Sequence, residues 1–233
     1  MRNARLWRTL LGVDKTVIET MELGDDGVLV FAVRAMGSMR NRCGKCLRRS
    51  PRYDQGHGRR RWRSLDAGSV QVVLEADAPR VSCRDHGVTV AAVPWARHQA
   101  GHTHDFDAQV AWLATQTSKT AITELMRIAW RTVGAIITRV WADTEKQYDQ
   151  FAGLTRIGID EISYKRGHKY LTVVVDHDSG RLVWASPGQD TANLATFFDA
   201  LGPERNSSSQ VRQLVSRLFL RSGWWRASVS LVR

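Results

Sequence analysis

Three cysteines and one histidine carry the most specific chemical signal in this chain. Cys43 and Cys46 form a Cys-x-x-Cys pair, and Cys83 and His86 form a Cys-x-x-His pair. Two close pairs of soft or borderline ligands can close on one tetrahedral zinc ion without a large core around it. Gly44 and Gly87 ease the tight turns that such pairs require. Three is an odd number of cysteines, which argues against a framework made only of disulfides. In a reducing compartment the thiolates stay available as metal ligands. Four protein ligands leave no open coordination position, so the expected role of zinc is structural. His57, His98, His102 and His104 are competing candidates, and His102 and His104 adjoin a helix start and are expected to face solvent. A second signal is Asp160-Glu161 at the end of the apolar run Ile157-Gly-Ile159. Strand neighbours point to opposite faces, so one of the two carboxylates can face a site, and Asp160 is the choice. Asp176 and Asp178 flank a turn and read as turn formers.

The elements that must position these groups follow from periodicity. Residues 15–34 read as a hairpin around Gly24-Asp25-Asp26-Gly27, because Asp-Gly between apolar runs is a turn signal. Residues 35–64 are rich in Gly and Arg. Short strands are expected at Val70–Leu74, Arg80–Cys83 and Val88–Val93. Residues 105–142 are helical in pattern, with Phe106, Val110, Leu113 and Ala114 at helical spacing. Within them, Thr120–Ile128 and Thr132–Trp141 form two helices with a very short break, and Ser118 and Thr120 are candidate N-caps. This pair fits a helix-turn-helix whose second helix reads a major groove. Lys119, Arg127, Arg131, Thr132 and Arg139 are the candidates for phosphate or base contacts. From Thr155 the period becomes that of strands, at Arg156–Ser163, Lys169–Asp176 and Arg181–Ala185, followed by a helix over Thr191–Leu201. Three strands and then a helix, with an Asp on the first strand, match the opening of a ribonuclease-H-like fold.

Charge points the same way. The chain of 233 residues has a formal net charge of +11 and a pI near 10.3. A strongly basic chain favours polyanion partners, chiefly nucleic acid. The excess is local: Arg34 to Arg63 holds eleven Lys and Arg against the single acid Asp54. No apolar run reaches the roughly 18 residues that span a bilayer. The first residues lack the long apolar stretch of a signal peptide, so no membrane association and a cytoplasmic location are expected.

With these pieces in order, the chain resembles insertion-sequence transposases of the ISL-three family from about Leu10 to Glu204. The stretches that carry the resemblance include Cys43-Gly-Lys-Cys46, Arg61-Trp-Arg63, Pro79 to Gly87, Val93-Pro-Trp-Ala96, Trp130-Arg-Thr-Val-Gly134, Ile157 to Tyr164 and Gly167 to Asp176. The resemblance implies double-stranded DNA as partner, at the element's terminal inverted repeats, and a DDE domain whose three carboxylates hold two divalent ions, usually magnesium. Asp160 would be the first of these. Family members work as multimers, so a homo-oligomer is an expected partner, although no segment marks an interface.

The fold class expected is therefore α+β and multidomain. It comprises an N-terminal hairpin with a zinc-ribbon-like module (1–100), a helix-turn-helix (101–150) and the first part of a ribonuclease-H-like DDE domain (151–204). A basic tail follows (205–233). After Glu204 there is no Asp or Glu, while six Arg and seven Ser follow. That change reads as translation in a shifted frame and a truncated product. It leaves the second and third carboxylates missing and the residues around 155–204 poorly packed, with Trp224 and Trp225 partly exposed. Mg-dependent cleavage and strand transfer are then expected to be lost. A DNA-binding repressor of transposition without catalysis is the alternative reading. A zinc-dependent RNA-binding protein is a third, disfavoured because readers of single-stranded RNA offer exposed aromatics on a sheet.

Overall fold

A computed structural model describes residues 4–145, 147–165, 169–189 and 191–202. The chain divides after Trp141 into two compact units.

The first unit opens with helix α1 (Ala4–Leu10) and the expected hairpin, β1 (Thr16–Leu23) and β2 (Leu29–Ala35). The turn places Gly27 at φ +73°, where a side chain would be strained. β3 (Arg52–Asp54), β4 (Arg59–Arg63), β5 (Val72–Asp77), β6 (Arg80–Cys83) and β7 (Gly87–Val90) follow. They sort into two sheets. One has the order β1-β2-β5-β4, with β2 and β5 parallel, and the other has the order β3-β6-β7. Alternation explains why so charged a segment as Arg59–Arg63 is a strand. Trp62 turns inward and is 2% exposed, while Arg59 and Arg61 turn outward onto Glu75 of β5. Phe31, Val33, Val72, Leu74 and Trp95 complete this core. Fully burying each large apolar side chain contributes about 1.5–3 kcal/mol.

Three helices complete the unit: α2 (His104–Gln116), α3 (Lys119–Met126) and α4 (Trp130–Glu145). Thr103 caps α2 and Ser118 caps α3, its hydroxyl accepting from the N–H of Ala121 at 3.2 Å. Of the two expected caps, Ser118 is the one used, and Thr120 lies inside the helix. Phe106, Val110, Ile122, Met126, Val133 and Ile136 form a separate helical core. Backbone hydrogen bonds from Arg63 to Gly101 and from Thr103 to Arg63 bind the start of α2 to the end of β4. The ribbon and the helices thus fold as one unit. None of the described helices is long and apolar enough to cross a membrane.

The second unit contains β8 (Ile157–Lys165), β9 (Lys169–Asp176), β10 (Leu182–Pro187) and α5 (Thr191–Leu201), with antiparallel order β10-β9-β8. Poor packing was the expectation for this stretch, and the structure corrects it for the described residues. Phe151, Ile157, Val174, Val183, Phe197 and Leu201 form a buried core, because α5 supplies an apolar face to one side of the sheet. Among the described residues no strand pairs with the outer edge of β8. Trp224 and Trp225 lie outside the described residues.

Candidate metal centre and nucleic-acid interface

The two ligand pairs come from two separate turns of the ribbon. Cys43 and Cys46 sit on the knuckle that precedes β3, and Cys83 and His86 sit on the turn joining β6 to β7. The knuckle is stitched to the strand end by Gly44 N–H donating to Val90 C=O at 3.2 Å and Ala92 N–H to Arg42 C=O at 2.8 Å. Gly44 is required here by space. A Cβ at this position would lie 2.3 Å from His98 Nδ1 and 2.6 Å from the Val90 carbonyl oxygen.

The four ligand atoms all lie within 4.8 Å of one another. Cys46 Sγ is 3.7 Å from Cys83 Sγ, Cys43 Sγ is 3.7 Å from His86 Nδ1, and Cys83 Sγ is 3.6 Å from that same nitrogen. Tetrahedral zinc, with sulfurs at about 2.3 Å and nitrogen at about 2.0–2.1 Å, requires edges of about 3.8 Å between sulfurs and about 3.6 Å between sulfur and nitrogen. The side chains thus stand at the spacing that a zinc ion imposes. The His86 imidazole beside it, helped by backbone N–H groups, holds the Cys83 thiol down to about 6, which favours the thiolate that a metal needs. Among the described residues this is the one group of three or more metal-ligating side chains that converge. His98 packs on Gly44 behind the knuckle, and burial, with Lys45 and Arg60 nearby, pushes its pKa down.

The three helices are held together from behind by carboxylates. Arg127 ends α3 in the left-handed region, at φ 54° and ψ 48°, and its guanidinium pairs with Asp66, which also binds Arg63. Arg139 turns inward. Its Nη2 lies 3.3 Å from Oδ1 of Asp107, a fully buried carboxylate of α2 that also receives Arg97 at 3.3 Å. Burial pushes the His102 imidazole pKa down, so its 3.9 Å approach to Asp107 adds little charge pairing. Lys119 lies with Nζ 4.4 Å from the ring centroid of Trp130, joining the first turns of α3 and α4. Arg131 is exposed, with no side-chain partner among the described residues, and Thr132 is half-buried beside it. The two clamping carboxylates, Asp66 and Asp107, were missed in the sequence. Asp107 had a signal, since it stands three residues before Val110 on the apolar stripe of α2.

In the second unit, Ile157 and Ile159 pack towards α5. Alternation therefore puts Asp160 on the other face of β8, opposite Val173, and half-buried. Asp176 accepts from the backbone N–H of Asp178 at 3.0 Å and from Ser179 Oγ at 2.6 Å, and Asp178 binds Arg156 Nε at 2.8 Å. Both are turn residues, as expected. Asp160 alone does not make a two-ion magnesium site among the described residues.

Comparisons with known proteins agree with this order of parts. Residues 40–86 match a zinc-finger of transposase IS204/IS1001/IS1096/IS1165, and residues 91–141 match a helix-turn-helix domain of transposase family ISL3. Residues 157–216 match the transposase domain of the same family, so that match includes residues 205–216 beyond Glu204. The chain belongs to the ISL3 transposase family. It is 66% identical over 211 residues to the transposase for insertion sequence element IS1557 of Mycobacterium tuberculosis, covering 88% of this chain and 48% of that protein. It is 24% identical over 145 residues to the transposase for insertion sequence element IS1001 of Bordetella parapertussis, covering 62% of this chain and 36% of that protein. The chain thus spans about half the length, or less, of these ISL3-family relatives. No solved structure gives a significant match.

Proposed function

We propose that this chain binds the terminal inverted repeats of an insertion sequence as duplex DNA, with α4 lying in the major groove. The observation that carries this reading is the division of labour along α4. Arg139 and the apolar face are fixed inside, while Arg131 and Thr132 stand at the first turn, where a recognition helix meets base edges. Lys119 and Arg127, at the two ends of α3, serve phosphate contacts. The zinc ion is structural and keeps the ribbon folded. Asp160 is the first carboxylate of the Mg-dependent DNA cleavage and strand transfer that the ISL3 family implies. One carboxylate cannot hold the two ions of such a site. Cutting therefore needs further carboxylates beside Asp160.

The test is fluorescence anisotropy with a duplex carrying the repeat and with a scrambled duplex, followed by incubation with Mg²⁺. Tighter binding to the repeat, a loss of discrimination of about 1–3 kcal/mol in R131A and no strand cleavage are expected. Equal binding to both duplexes refutes the end-binding reading. Robust cleavage refutes the need for carboxylates beside Asp160.

A further inference from the structure

Two cavities of the first unit share Arg40 and Asn41 and join into one trough between the four-stranded sheet and the ribbon. Their volumes are about 290 Å³ and about 500 Å³. Five arginines line the trough: Arg34, Arg40, Arg49, Arg52 and Arg59. Two carboxylates, Glu19 and Asp77, stand among them. Glu19 is taken by Arg34 at 2.8 Å, and Arg59 is matched by Glu75 at 3.0 Å. The other three have no carboxylate partner among the described residues. Arg40 donates to the Ala35 carbonyl at 3.4 Å, Arg52 donates to the neutral amide of Gln55, and Arg49 has no side-chain partner among the described residues. Between the arginines the wall is apolar, with Val33, Ala76 and Ala92.

Three guanidinium groups that no carboxylate among the described residues neutralises, beside an apolar wall, suit one kind of ligand. A phosphodiester chain brings a regular line of anions, each able to take a forked pair of N–H donors. The trough is also stiff. Trp95 in its wall packs edge-on against Trp62, with ring centroids 5.5 Å apart. Arg40, Arg49 and Arg52 flank the zinc knuckle of Cys43 and Cys46, so the metal fixes where three of the charges stand.

We propose that this trough seats a phosphodiester strand of the same DNA whose base edges α4 reads. The inference rests on the DNA-binding reading above and adds to it a contact surface outside the helices. It also makes backbone binding depend on zinc.

The test is the salt dependence of duplex affinity for the full chain and for R40Q/R49Q/R52Q. Each phosphate contact contributes about 0.9 to the slope of log K against log salt. Losing three lowers the slope by about 2.7, which is about 100-fold in affinity at ~0.15 M salt. R5Q/R8Q/K15Q removes the same charge from outside the trough and is expected to shift the slope by less than about 1. Zinc content and melting of the variants show that the ribbon is intact. If the triple variant loses zinc, R49Q alone still tests the idea, with a slope change of about 0.9 expected. Inorganic phosphate at matched ionic strength is expected to leave the complex in place. An unchanged slope in R40Q/R49Q/R52Q, while R131A weakens binding, overturns the trough and leaves the helix reading standing. Failure of the unmodified chain to bind any duplex removes both. Selective displacement by inorganic phosphate overturns the strand proposal in favour of a small-anion site.

Discussion

Replacing Asp107 by alanine tests the internal clamp of the first unit. The carboxylate is fully buried and receives Arg97 at 3.3 Å and Arg139 at 3.3 Å, so its removal takes one buried anion from two guanidiniums. Breaking a buried pair by removing one partner costs about 3–5 kcal/mol, mostly through the charge left behind. Here the side chains of Arg97 and Arg139 remain 18% and 26% exposed and reach some water, which places the loss near the lower end. About 3 kcal/mol corresponds to a fall of about 10 °C in the melting of a unit of this size. The comparison is D85A, which breaks the exposed pair Arg48–Asp85, whose side chains are 57% and 44% exposed. That pair contributes at most about 1 kcal/mol. R97M/D107L/R139M, which removes the carboxylate and both guanidiniums together, is expected to sit within about 1–2 kcal/mol of the parent or above it. The assay is thermal unfolding of the full chain by circular dichroism in excess zinc, with hydrogen exchange of the α2 and α4 amides to locate the effect. A D107A loss within about 1 kcal/mol of D85A refutes the reasoning.

Three further outcomes are expected. C83S removes one of the four converging ligands, so bound zinc should fall below one per chain by elemental analysis, with loss of ribbon structure. Retention of a full equivalent excludes Cys83 as a ligand. Gly44→Ala drives a Cβ to 2.3 Å from His98 Nδ1 and 2.6 Å from the Val90 carbonyl. A loss of about 1–3 kcal/mol is expected in chemical denaturation, and a neutral result contradicts the close approach. The pair Asp54–Arg80 gives a pH signature. Arg80 and the Gly56 N–H hold the Asp54 carboxyl at about 2, below its ordinary 3.8. Since the folded value is the lower one, its stabilisation is present above the ordinary value and fades as pH falls towards 2. The stability gap between parent and D54N should therefore be present at neutral pH and shrink between about pH 4 and 2, and a gap that widens on acidification contradicts the assignment.

How much was legible in the sequence depended on what set each feature locally. β6, β9 and α5 fall on their expected ranges because apolar period and turn residues fix their ends. The convergence of Cys43, Cys46, Cys83 and His86 was legible because close Cys and His pairs have few other readings. β4 was not, since four of its five residues are arginines and the pattern rests on Trp62 alone. Inward and outward arginines were equally opaque. Arg131 and Arg139 share a helix and a residue type, and the burial of Asp107 decides which one is free. Arg127 became a C-cap in the left-handed region because the turn to α4 and its partner Asp66 hold it there. Asp160 could be placed on a face by alternation.

The measurement closest to the central claim is selection of bound duplexes from a random pool by the zinc-loaded chain, followed by sequencing. Enrichment of a motif found at both ends of the element that carries this gene, lost when zinc is stripped, is the expected result. Recovery of no motif, or of the same motif with and without zinc, contradicts the account.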